Sequence, residues 1–185
     1  MALGDDMKRK GLSQVVTTLI LLVVAILLAT TVSYYATNTT RTRTVNEDIR
    51  IVKNHIWVNG SGALSGFMIQ NIGGRDVLLD IIGVRGVESE WDNVFVYRVP
   101  AGTVITGDMN ATSLANVADG STIDGRVYSA VTSEVPLKSG CDIMVYVKNP
   151  GNIQNDDLGT SVGLGIYTSN AQYIKETNVE SLTVQ

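Results

Sequence analysis

From Leu12 to Thr40 the chain carries no charged residue, and Lys8, Arg9, Lys10 and Gly11 stand directly before that stretch. Its apolar part runs to about Tyr35. At 1.5 Å rise per residue, about 20 apolar residues cross a bilayer as a helix, so this run is long enough. It is apolar all round, which predicts burial on every side, by lipid or by other helices. Lys8 to Lys10 satisfy the positive-inside rule, placing this end in the cytoplasm and the remainder outside. A secretory signal peptide is cut after its apolar region. Here small residues three and one before a cut coincide only at Thr31 and Ser33, a weak site. A cut at the glycine joint, by contrast, leaves the apolar helix on the mature chain.

Lys8-Arg9-Lys10-Gly11 followed by Leu12-Ser13-Gln14-Val15-Val16 resembles the class III leader of archaeal type IV pilin-like proteins, the group of adhesive pilins and archaellins. The resemblance implies cleavage by a prepilin peptidase between Gly11 and Leu12, with Lys10 before the joint. It also implies a helical homopolymer whose core is built from the freed helices, with Val16, Leu19, Ile20, Val23, Val24 and Leu27 as packing positions. An assembly ATPase and a membrane platform protein are the further partners it implies. Bacterial type IV pilins usually carry Phe first and Glu fifth after the cut. Leu12 and Val16 stand there instead, which favours the archaeal branch.

The expected organisation is a leader at residues 1–11, a hydrophobic helix at 12–54 and a head domain at 55–185. The helix has a second, polar and Thr-rich half from Ala36 to Asn54. There Val45, Ile49 and Val52 recur at helical spacing and predict an apolar stripe against the head, and Tyr34 and Tyr35 fall where an aromatic belt belongs. Beyond Ile56, short runs rich in Val, Ile and Tyr alternate with Gly, Asn, Asp and Pro turns, at Asn71-Ile72-Gly73-Gly74 and Asn149-Pro150-Gly151-Asn152 among others. Predicted strands are 56–58, 64–71, 76–84, 94–99, 126–132, 142–148, 161–168, 172–175 and 179–184. The class is therefore α+β: a long N-terminal hydrophobic helix followed by an all-β head, expected to be an immunoglobulin-like antiparallel sandwich. Thr103 to Asp124 reads as a long exposed loop or a short irregular edge.

Formal net charge is -4, and loss of residues 1–11, with three cations and two acids, makes the chain slightly more acidic. No basic stripe marks a nucleic-acid partner. His55 is the only histidine and Cys141 the only cysteine, so a His-based triad has one candidate and an intrachain disulfide has none. Both read as packed or surface residues. Asp119 with Asp124, and Asp156 with Asp157, lack the alternating spacing of an EF-hand-type calcium loop and read as turn residues. No glycine loop that would cradle a phosphate precedes a helix. Catalytic residues, cofactor and metal are all expected to be absent. Three sequons, at Asn38, Asn59 and Asn110, are N-glycosylation candidates; Asn59 and Asn110 fall in predicted turns and Asn38 in the helix neck.

The expected function is a structural subunit of an extracellular, archaeal type IV pilus-like filament for adhesion or cell–cell contact, starting as a membrane precursor. Relative to lipid the gain on assembly rests on packing, since acyl chains are already apolar. Two alternatives stay open: an archaellin of a motility filament, or a monomeric binding module held by an uncleaved transmembrane helix.

Overall fold

The computed structural model describes the backbone of residues 3–183, and the side chains of 11–41 and 46–183. Val184, the end of the last predicted strand, and the side chains of Lys10 and Val45 lie outside the described residues. The chain divides into two units, one through Thr44 and one from Val45 onward. The first is a single helix, α1 (Leu3–Val45). Its threonines return their hydroxyls to carbonyls three or four residues back, as in Thr17 to Ser13 and Thr31 to Leu27, so they add no unmet polar group to an apolar surface.

The helix was expected to reach Asn54 and ends at Val45 instead. Strand β1 (Ile49–Asn59) begins four residues later and pairs with β2 (Gly62–Asn71) in antiparallel register, Ile49 opposite Asn71 and Ile51 opposite Ile69. Ile49 and Ile51 are buried and Arg50 is exposed, so the stripe read as helical is a period of two in β-branched residues. The turn Asn71–Gly74 fixes the switch. Ile72 and Gly73 donate backbone N–H bonds to the Asp48 carbonyl, and Gly74 donates to Asn46. Any β-carbon on Gly73 would lie 2.6 Å from the Asp48 nitrogen, so only glycine permits this clasp.

The remaining strands are β3 (Val77–Val84), β4 (Val87–Glu88), β5 (Val94–Arg98), β6 (Thr122–Ile123), β7 (Arg126–Val127), β8 (Ser129–Ala130), β9 (Val135–Leu137), β10 (Asp142–Lys148), β11 (Ser161–Thr168) and β12 (Gln172–Ser181). The main path runs β4-β3-β11-β12-β1-β2-β10-β5-β8, with β9 beside β3; β6 and β7 form a separate ribbon. Pairing is antiparallel except where β12 meets β1. The stretches predicted as two strands, 172–175 and 179–184, are one strand that changes partner. Residues 172–178 pair with β11, and Val179 to Ser181 then pair in parallel with Ile56 to Val58. The predicted strand 126–132 is broken into β7 and β8, which serve different partners. Both ends of the path are two-residue strands, a blunt finish that offers little edge to a second chain.

Alternation along the central strands sorts their side chains into two cores. Phe67, Ile69, Val94, Val96, Ile143, Val145 and Val147 face one cluster, shared with Leu79, Ile82, Val84, Leu164 and Ile166 of the opposing sheet. Leu64, Met68, Phe95, Met144 and Tyr146 face the other way. That second face is covered by the segment expected to be an exposed loop or a short irregular edge: Met109, Val117 and Ile123 are buried on it, with Tyr128. The segment lacks periodicity because it packs through single anchors rather than through a regular element.

Candidate functional site: an unburied helix and a polar cleft

Two features carry chemistry, one in each unit. In α1 the span Gly11–Arg41 has a most apolar 18-residue window of mean hydropathy 2.8, none of which is buried. It is long and apolar enough to cross a membrane, and so to anchor the chain in one. The six positions expected to pack, Val16, Leu19, Ile20, Val23, Val24 and Leu27, are each 45–60% exposed, which leaves that surface for lipid or other chains. Gly11 and Leu12 lie inside the helix and are exposed, and Lys10 is in the same helix. A β-carbon added at Gly11 would meet nothing within 4 Å, so neither space nor turn geometry asks for glycine there. In a helix interior glycine costs about 1 kcal/mol relative to alanine.

The second feature lies in the head, over Trp57. Strand β1 carries a bulge between Val52 and His55, where Lys53 has a φ of 53°, and this local twist re-aims the side chains that follow. The Lys53 ammonium caps the carbonyls of Thr106 and Gly107. Beyond the bulge, His55 stacks on Trp57 with ring centroids 5.2 Å apart and planes within 6°. Gly66 on β2 makes room for this: a β-carbon there would sit 2.9 Å from both Trp57 and Tyr146 ring atoms. His55 Nε2 lies 3.2 Å from Asp108 and Nδ1 lies 3.5 Å from Glu180. Nδ1 is buried and makes no hydrogen bond. Hydrogen bonds from the Met109 N–H and from His55 hold the Asp108 carboxyl below its usual range, against the opposing effect of partial burial.

His55, Trp57 and Glu180, with parts of the segment 109–124 and the end of β12, line a cleft of about 630 Å³. Asn110 donates its amide to Asp124 at 2.9 Å, and its carbonyl accepts the Tyr146 hydroxyl at 2.8 Å. Burial pushes the Tyr146 and Tyr128 phenols up, so both stay protonated donors. Arg126 stands 3.8 Å from Asp124.

The structure separates the sequons. Asn38 is exposed on α1, Asn59 is half-buried and accepts the Ser61 N–H in the β1–β2 turn, and Asn110 lies exposed at the cleft. Cys141 is half-buried against the first core cluster. Asp119 and Asp157 serve their turns, accepting from the Ala130 N–H and from Arg85 with the Gln154 N–H. Among the described residues no group of three or more His, Cys, Asp or Glu is placed to hold a metal. Sequence reasoning singled out His55 and Asn110 separately. It missed Glu180 as a neighbour of His55, because a parallel β1–β12 pairing has no local signature. A scan of family models finds none that matches the chain, and no curated protein matches it in sequence.

Proposed function

We propose that this chain is a pilin: a structural, non-enzymatic subunit of an extracellular filament of the archaeal type IV pilus kind, serving adhesion or cell–cell contact. The membrane precursor is cut between Gly11 and Leu12 by a prepilin peptidase. An assembly ATPase and a platform protein then move the freed helix from lipid into a bundle of its copies, leaving the head outside the cell.

The observation that carries the reading is Gly11. It follows Lys8-Arg9-Lys10 directly, it opens an unburied helical span that is apolar to about Tyr35, and the helix that contains it gains nothing from a glycine there. A peptidase that must draw the backbone into its site does gain, since a chain without a side chain approaches closely. The blunt sheet ends of the head fit a subunit that polymerises through its helix.

The test is the N-terminal residue of protein sheared from the cell surface, read by mass spectrometry. Leu12 in a pelletable fraction is expected, with Gly11→Leu holding the chain at its precursor length. A chain that keeps residues 1–11 and is found only in membranes would overturn the reading in favour of an anchored binding module.

A further inference from the structure

We propose that the cleft over Trp57 binds a neutral saccharide. Acceptors are in excess on its walls. Glu180 approaches His55 without a hydrogen bond, and Asp124 engages Asn110 through one oxygen only. The hydroxyls of Thr122 and Ser181 have no partner among the described residues. Asp108, 3.2 Å from His55, adds a third carboxylate beside the cleft wall, while Lys53 is turned to the Thr106 and Gly107 carbonyls. Arg126 lies 3.8 Å from Asp124 and Lys53 acts on Asp108, but three carboxylates outnumber these two cations, so a phosphate, sulfate or uronate would meet a net negative charge here. An ammonium ion needs a few acceptors at one point, whereas these groups are spread around about 630 Å³, a volume usual for small-molecule sites. The remaining class is a neutral ligand with many hydroxyls on a ring. Vicinal hydroxyls donate to a carboxylate such as Glu180 or Asp124 and accept from amide and hydroxyl groups. The half-buried His55 ring, stacked on the buried Trp57, supplies the apolar part of the wall.

The saccharide has two possible sources, a sugar chain built on Asn110, which is itself in the wall, or a glycan from another surface. The inference deepens the adhesive reading of the head, but it does not need a filament.

Binding is measured by calorimetry on the full chain, held monomeric in a zwitterionic, sugar-free detergent. The probes are trisaccharides of glucose, galactose, mannose and N-acetylglucosamine, with sialyllactose and spermidine as charged controls. At least one neutral trisaccharide is expected to bind, and neither control. Glu180→Gln and Asp124→Asn should each weaken binding about tenfold, the loss expected for a hydrogen bond to a charged group. Ser181→Ala, which removes no contact of the fold, should weaken it severalfold. Protein made without N-glycosylation is compared with protein bearing a sugar at Asn110. Binding by both forms identifies an external ligand, and binding by the bare form alone identifies the chain's own glycan. Silence from the bare form, binding of spermidine in place of sugars, or sugar binding indifferent to all three substitutions would overturn the proposal. Because the protein is monomeric throughout, a failed filament reading leaves this result standing.

Discussion

Two runs of the chain look alike on paper and meet opposite fates. Ile143-Met144-Val145-Tyr146-Val147 in β10 and Leu19 to Leu28 in α1 are both unbroken apolar sequence. Every residue of the first is at most 1% exposed, and the second lies on a span of which none is buried. In β10 the strand's period of two divides the run between two clusters, and the same chain supplies a partner for each face. In α1 the residues point all round a helix, and none of those described from Gly11 to Arg41 is buried. An apolar run is thus a core or an interface according to whether the complementary surface is encoded with it. The first kind stabilises the fold, and the second requires a membrane or another molecule.

The sharpest way to break the comparison is to put one charge in each run. Val145→Asp buries an unpaired carboxylate and should unfold the head, since a penalty of roughly 3–5 kcal/mol consumes most of a typical domain's stability. Ile20→Asp should leave the head's melting temperature in detergent within about 1 °C of native while abolishing filaments. Equal melting losses for both would mean that the helix is part of the head's core.

A smaller effect separates the two faces of β10. Tyr146→Phe removes the hydroxyl bonded to the Asn110 carbonyl and should cost about 1–3 kcal/mol. The loss should show as faster hydrogen exchange in residues 103–124, with protection in β3 and β11 unchanged. Uniform loss across both sheets would mean that the covering segment and the sandwich unfold as one unit.

The smallest effect lies at the rim, where Asp157 accepts from Arg85 at 2.6 Å and from the Gln154 N–H at 2.8 Å. These bonds hold its carboxyl below the usual range. A depressed folded-state pKa stabilises above the unfolded value, about 3.9, and the contribution is lost as pH falls through the folded value. Arg85→Gln should therefore melt slightly below native at pH 6, and the two curves should converge as pH falls through the folded value. A gap that persists there would assign the effect of Arg85 to its bond with the Asn152 carbonyl.

The sequence made the long helix, the α+β class and most strand positions legible, because uncharged length and alternation are local signals. Strands 142–148 and 161–168 were read with the bounds they have. The helix end was misread because Val45, Ile49 and Val52 satisfy a helical period, while Ile49 and Ile51 satisfy a strand period. What decides between them is the clasp of Ile72, Gly73 and Gly74 on Asn46 and Asp48, contacts made more than 20 residues away. The third layer was missed for a related reason. The continuous run of β10 announces burial on both faces, but nothing in residues 103–124 reveals that Met109, Val117 and Ile123 cover one of them. At the candidate site, the glycine joint was local and visible. The cleft depends on β12 returning beside β1, a pairing between opposite ends of the head.

That return sets how the head bears force. Strand β1 follows α1 after three residues, so tension transmitted through the helix enters along β1. Its neighbours are bonded to it on both sides of the bulge, β2 at Ile49 to Val52 and His55 to Asn59, and β12 beside Ile56 to Val58. A pull along the strand loads these bonds together, in shear, rather than opening them one after another. The same strand that begins the fold is its tether, and the C-terminal strand is bolted to it at the far end.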